Sequence, residues 1–242
     1  MNSINELEDL LYRIIGILND TGMPLIFKGG LVVKQVTRES ESIRYTNDID
    51  CDWVGDPPDI QEIENGLNAA IRRIMADVSV KRYRDYIIGK RSAGFHIMKD
   101  GFVISSIDMS IKSLVSSKTY YYGEITFTGY DLYGIVADKI EVVSTPKIFR
   151  RTKDLFDLYN ICISNDFEKA LIIDSLNKKN KVLSDFSAFK DQQNDLLHSY
   201  TLMKGITNKP DFSDVYGITS RFVDGLTDET STHWDHSKNA WR

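Results

Sequence analysis

Only two cysteines, Cys51 and Cys162, occur among the 242 residues. They lie far apart and lack any metal-ligand spacing, which argues against a disulfide framework and fits reduced thiols in a cytoplasmic protein. Long apolar runs are also missing. No stretch reaches the roughly eighteen uninterrupted apolar residues of a membrane-spanning helix. The opening MNSINELEDLLYR is charged and amphipathic, where a secretory leader would place an apolar block after a basic start. No membrane association is expected. An excess of positive charge is absent too: 30 Lys and Arg stand against 35 Asp and Glu, a net charge of −5 and a pI of about 5.4. A nucleic-acid substrate would therefore have to meet a local basic patch. The remaining composition, 42% hydrophobic and 27% charged, is that of a globular protein with one large domain or two small ones.

The most informative stretch is Phe27 to Asp52, FKGGLVVKQVTRESESIRYTNDIDCD. The apolar run Pro24-Leu25-Ile26-Phe27 predicts a strand, Lys28-Gly29-Gly30 breaks it, and the segment that follows reads as a helix to about Thr37. Paired glycines at a helix start expose backbone N–H groups without side-chain bulk, and the helix dipole favours an anion there, so a phosphate is a suitable guest. Lys-Gly-Gly is equally an ordinary turn. After a polar loop from Arg38 to Arg44, Asp48-Ile49-Asp50 reads as a strand. At about 3.3 Å rise per residue, Asp48 and Asp50 share one face with Cα atoms roughly 6–7 Å apart, and Ile49 points into the core. Two carboxylates that close repel unless a cation lies between them. Hard oxygen donors suit Mg²⁺ or Mn²⁺ bridging to substrate phosphates. A solvated strand end is the plain alternative, and it is the role expected of Asp52, ahead of that of an extra ligand, just before Gly55-Asp56-Pro57-Pro58 ends the element.

Around this stretch, Leu7, Leu10, Leu11, Ile14, Ile15 and Leu18 predict an amphipathic helix stopped at Thr21-Gly22, and Ile60, Ile63, Leu67 and Ile71 predict another over 59–75. Arg72, Arg73, Lys81, Arg82 and Arg84, with Tyr83 and Tyr86 interleaved, form a basic stretch that reads either as an RNA-contacting patch or as solvated faces. Residues 78–111 read as strands with a hairpin at Asp100-Gly101. Asp108 falls mid-strand, opposite in face to Ile107 and Met109. An unpaired charge buried there costs several kcal/mol, which a metal would remove, and an exposed face is the alternative. His96 reads as structural. Tyr120-Tyr121-Tyr122 before Gly123 suggests a further hairpin.

Between Asp131 and Ile161 two helices are interrupted by Thr145-Pro146. Lys139 lies one turn from Ile135, and Asp154 and Asp157 share a helix face behind Arg150, Arg151 and Lys153, as capping and ion-pair residues do. Helices are expected over 167–176 and 181–202. Beyond Lys204 the chain is rich in Gly, Thr, Asp and Asn, and His233-Trp234-Asp235-His236 is expected in a surface tail, ahead of a metal cluster.

The glycine pair followed by Arg44-x-Thr46-x-Asp48-x-Asp50, with Asp48 eighteen residues after Gly30, resembles the opening of the polymerase-β-like nucleotidyltransferase superfamily. Together with Ala137-Asp138-Lys139 and Arg151-Thr152-Lys153-Asp154-Leu155-Phe156-Asp157-Leu158, it resembles more narrowly the AbiEii/AbiGii-type toxins of abortive-infection, or type IV toxin–antitoxin, systems. The matching motifs span 27–158. The resemblance implies an α+β fold: a polymerase-β-like core, a mixed sheet flanked by helices, over 1–130, then a mainly helical bundle over 131–242 that completes the active site. It implies Asp48, Asp50 and Asp108 as catalytic metal ligands, Lys139 at the nucleotide phosphates, and Asp154 as a hydrogen-bonding or basic catalytic group. Lys28, Gly29, Gly30, Arg44, Thr46, Lys139 and Arg151 are then nucleotide-binding. One departure is that Gly29-Gly30 replaces the superfamily's Gly-Ser, so backbone amides must serve where a serine hydroxyl usually does.

The implied activity is Mg²⁺- or Mn²⁺-dependent transfer of NMP from an NTP to an RNA acceptor, the tRNA 3′ end, with release of pyrophosphate, in the cytoplasm of a cell protected by a cognate antitoxin. The RNA specificity comes from the resemblance, since nothing in these residues reads a base. The same metal site would serve nucleotidylation of a protein or small molecule. A non-catalytic NTP-binding regulator, and an interaction protein with a merely solvated acidic face, are further readings.

Overall fold

The computed structural model describes residues 4–37, 40–85, 92–112, 115–183 and 185–242. In chain order these form α1 (Ile4–Asn19), β1 (Leu25–Lys28), α2 (Gly29–Val36), β2 (Ile43–Arg44), β3 (Asp48–Val54), α3 (Ile60–Arg72), β4 (Val78–Arg84), β5 (Ser92–Lys99), β6 (Phe102–Lys112), β7 (Ser117–Tyr122) and β8 (Ile125–Tyr130). The chain continues through α4 (Leu132–Val143), a 3-10 turn (Ile148–Arg151), α5 (Thr152–Ser164), β9 (Phe167–Glu168), α6 (Lys169–Lys178), α7 (Ser187–Asp191), α8 (Gln193–Leu202), β10 (Ile206–Thr207), α9 (Phe212–Thr227), β11 (His233–Asp235) and β12 (Ala240–Trp241). Two compact units result. One comprises Met1–Val32 and Tyr45–Asp131, the other Val33–Arg44 and Leu132–Arg242. Arg38, at the start of the polar loop, and Tyr86, in the basic stretch, lie outside the described residues.

The first unit is a seven-stranded mixed sheet of order β4-β5-β6-β3-β1-β8-β7. β3 runs parallel to β6 and antiparallel to β1, which in turn runs parallel to β8. Period-two alternation buries Ile49 and Cys51 of β3 and Ile107 and Met109 of β6, the pattern of a strand with one face in a core. Helical spacing does the same for α1 and α3, which bury Leu11, Ile14, Leu18, Ile63, Leu67 and Ile71 against the sheet and each other. The side chain of Asp59 accepts from the N–H of Gln61 and so caps α3. Asp100 and Gly101 both take positive φ, 51° and 81°, as an Asp-Gly hairpin turn demands. The hydroxyl of Tyr12 donates to the Leu31 carbonyl at 2.8 Å, tying α1 to the first turns of α2.

The second unit is mainly helical, with α4 against α5 and α6, and α5 against α9. Two small sheets complete it, β10-β2 and β12-β11-β9. The helix expected over 181–202 is broken: its helical parts are Ser187–Asp191 and Gln193–Leu202, and buried Phe186 precedes them at φ 57°. The expected surface tail is corrected more thoroughly. Val215, Phe222, Val223 and Leu226 bury one face of α9, and Trp234 on β11 is wholly buried. The Trp234 indole N–H donates to the Cys162 carbonyl at 2.8 Å, and its ring meets Phe222 edge-on at 5.1 Å. Polar composition hid an apolar period in this segment. Trp234→Ala is therefore expected to cost about 3–5 kcal/mol, the range for deleting a large buried aromatic, read as a lower urea midpoint at unchanged m-value.

Both cysteines are free and buried. Among the described residues no helix is long and apolar enough to cross a membrane.

Candidate active site

The parallel pairing of β3 with β6 sets Asp50 opposite Asp108 and Asp48 opposite Ser106. Side chains at paired positions point to the same side of a sheet. The alternation that buries Ile49, Cys51, Ile107 and Met109 therefore places Asp48, Asp50 and Asp108 together on the other face, half-buried.

Each of these carboxylates is held by a neighbour. The Thr46 hydroxyl donates to Asp48 Oδ1 at 2.8 Å. The Tyr83 hydroxyl and Arg84 Nη2 both donate to Asp108 Oδ1, at 2.8 and 2.5 Å. Asp108 is thus an ion-paired acid, which corrects the picture of an uncompensated charge. Tyr83 stacks on His96 with ring centroids 4.1 Å apart, and burial, then the bond to Asp108, pushes its phenol up to about 12. Asp50 lies against the start of α2. Gly29 has φ +68°, and a Cβ there would sit 2.0 Å from Asp50 Oδ2. Both the backbone conformation and the close carboxylate require glycine.

Asp52 behaves differently from its strand mates. It is wholly buried, the Tyr130 hydroxyl donates to it, and the Lys28 ammonium lies 2.5 Å from its Oδ1. The solvated strand end expected at Asp52 is thus a buried anchor for Lys28, reached from β1 and from β8 beyond it. Beside it, burial first and then the Asp52 charge push the Cys51 thiol pKa up. In the basic stretch, Arg82 pairs with Asp85 at 3.3 Å and Arg84 with Asp108, so acids interleave there with the cations.

The second unit brings together a chain of charges alternating in sign. Arg44, fixed by the β2–β10 ribbon, grips Asp157 with Nε and Nη2 at 2.9 and 3.0 Å. The Lys139 ammonium bridges Asp157 and Asp154, at 2.7 Å to each, and Arg151 Nε donates to Asp154 at 2.8 Å. Lys139 is 7% exposed and Asp157 2%, so these charges interact in a medium that screens them weakly. Burial alone would raise the Asp157 pKa, but Lys139 and then Arg44 outweigh it and hold it at about 2. For Lys139, burial works downward, while Asp157 and Asp154 carry its pKa above the ordinary lysine value. Arg44, Lys139, Asp154 and Arg151 are the residues of this group that the family resemblance pointed to. Asp157, which joins Arg44 to Lys139, was read as an ion-pair residue on the helix face it shares with Asp154, and the structure bears that reading out.

A family model described as nucleotidyl transferase AbiEii toxin, type IV TA system, matches residues 9–198. The chain is accordingly a nucleotidyltransferase. It belongs to the AbiEii toxin family of type IV toxin–antitoxin systems. Similar solved structures include an antigenic nucleotidyltransferase-like protein from Paracoccidioides brasiliensis, at 11% identity over 79% of this chain and 92% of that one, with a TM-score of 0.44. ANT(2")-Ia in complex with adenylyl-2"-tobramycin matches at 17% identity over 76% and 97%, with a TM-score of 0.42. The Megavirus polyadenylate synthase matches at 11% over 76% of this chain and 39% of its own, with a TM-score of 0.40. A search of curated proteins finds no significant match.

Proposed function

We propose that the protein transfers the nucleoside monophosphate of an NTP to the 3′ end of a tRNA-like RNA acceptor in the cytoplasm, releasing pyrophosphate, as the toxin of an abortive-infection pair whose antitoxin protects the cell from it. The observation that carries this reading is the set of three carboxylates on one sheet face beside the glycine start of α2, in a chain of this family. Their donors are all hard carboxylate oxygens on adjacent strands, which suits Mg²⁺ or Mn²⁺ held by Asp48, Asp50 and Asp108. Such an ion, when bound, neutralises the triphosphate and lowers the pKa of an attacking hydroxyl.

The chain's own residues do the rest. Thr46 orients Asp48, and Tyr83 with Arg84 orients Asp108. The α2 amides at Gly29 and Gly30 offer donors to phosphate oxygens, with Lys28 adjoining. Arg44, Lys139 and Arg151 supply the positive charge that meets the nucleotide, and Asp154 accepts a hydrogen bond or the acceptor's proton. In the reaction the acceptor oxygen bonds to the α-phosphorus and the bond to pyrophosphate breaks, so catalysis is chiefly positioning and electrostatics.

The test incubates protein with Mg²⁺, each α-labelled NTP in turn and total cellular RNA, beside Asp48→Asn and Asp50→Asn. Label in a tRNA-sized band, lost in both variants, is the expected result. Label in protein would replace the RNA acceptor with a protein one. No label with a folded protein and every NTP would overturn the catalytic reading.

A further inference from the structure

The second unit also contains an open cavity of about 450 Å³ whose wall includes Glu41, Tyr159, Ser164, Asn208 and His236. Asn208 and His236 lie beyond residue 198, where the family match ends, so this cavity depends on a part of the chain outside that match.

Its lining groups are mostly hydrogen-bond acceptors. Asn208 donates its amide N–H to the Glu41 carbonyl at 3.1 Å, which leaves its amide oxygen to accept. His236 Nδ1 lies 2.7 Å from Asp166 Oδ1. A carboxylate only accepts, so that nitrogen carries the hydrogen and Nε2 of the neutral ring is an acceptor. Tyr159 is 9% exposed, and among the described residues no group hydrogen-bonds its hydroxyl. Its hydroxyl is not one of the buried polar atoms left without a partner, so it opens onto the cavity and can accept from a donor placed there.

The charge on this wall is negative. Glu41 supplies a carboxylate and Asp166 stands behind His236, while burial and then the charge of Asp214 raise the Tyr159 phenol pKa. No Lys or Arg is among the lining residues. Asp235, the other carboxylate near His236, is paired with Arg242. A phosphate or a nucleotide is the wrong guest for such a wall. A ligand with several N–H donors and positive charge is the right one, because each donor meets an acceptor and the charge meets carboxylates.

We propose that this cavity binds a multi-donor organic cation, an amine or guanidinium, through Glu41, Tyr159, Asn208 and His236. The cation is either a free polyamine or a basic side chain presented by a partner. Isothermal titration calorimetry on the full chain distinguishes them, using spermidine as one probe and an arginine amide blocked at both ends as the other. Saturable one-site binding of at least one probe is expected. Tyr159→Phe, which leaves net charge unchanged, and Glu41→Gln, at an exposed position, are each expected to weaken it about tenfold or more, the worth of one hydrogen bond to a charged group. Preference for spermidine assigns the site to a free polyamine, and preference for the arginine amide assigns it to a side chain. Binding unaltered in both variants would be diffuse attraction to the net charge and would overturn the proposal, as would no saturable binding of either probe.

Discussion

Gly29→Ala is expected to abolish nucleotidyl transfer, reducing the initial rate by about a thousandfold or more, the scale of losing a preorganised charge-stabilising group. Two independent effects act at this position. An alanine held at φ +68° is strained by about 1–2 kcal/mol. Its Cβ would also occupy space 2.0 Å from Asp50 Oδ2, so the carboxylate must leave the start of α2. The strain is small against the stability of a domain, and the displacement falls on a proposed metal ligand. The two separate experimentally in the double variant Gly29→Ala/Asp50→Ala. Removing the Asp50 carboxylate relieves the collision, so the double variant should melt above Gly29→Ala alone and still be inactive. A Gly29→Ala enzyme with the wild-type rate would show that the close approach of Asp50 to α2 is unnecessary for activity.

Asp157→Ala is expected to cost about 3–5 kcal/mol, because removing one partner of a buried ion pair strands the others. The Lys139 ammonium would keep Asp154 alone, and the paired nitrogens of Arg44 would lose both of their Asp157 contacts. Asp154→Asn leaves Lys139 on Asp157 and is expected to cost less, about 1–2 kcal/mol. Melting curves of the two variants check the order. The sign of the pH dependence follows from Asp157. Its folded pKa of about 2 lies below the usual aspartate value, so the unfolded chain takes up its proton first as the solution is acidified. Its contribution is complete at neutral pH and is lost as pH falls from about 4 toward 2. The stability gap between wild type and Asp157→Asn should narrow over that window. A gap constant from pH 5 to about 2 would contradict the ion-paired carboxylate.

Much of the first unit is legible in the residues themselves, because strand alternation and helix period are local signals. Asp48 and Asp50 share a face, and Asp108 lies opposite Ile107 and Met109, for that reason. What local pattern does not contain is the partner. Asp50 meets Asp108 through a parallel pairing of strands that are not neighbours in sequence, and only the register of the whole sheet decides it. Asp52 was misread on the same account: alternation shows which way a side chain points, while the Tyr130 hydroxyl that buries it comes from a strand 78 residues later. Arg44 was indicated only by the family resemblance, and its hold on Asp157 depends on β2 pairing with β10. In the C-terminal segment, frequent polar residues outweighed the four buried apolar positions of α9, and Trp234 looked like part of a tail although its ring fills the core.

Both units are assembled from two separated stretches of chain, with Val33–Arg44 belonging to the unit that the last 111 residues build. That arrangement sets a schedule for biosynthesis. Arg44 is made 113 residues before Asp157, an interval of roughly 6–23 seconds at about 5–20 residues per second. Trp234 comes later still. Until then the emerging polypeptide holds a set of future buried charges with no counterparts and a hydrophobic core with its largest ring missing. Neither half can be excised as one continuous fragment, and a chain that ends before β11 lacks the Trp234 ring that its second unit buries.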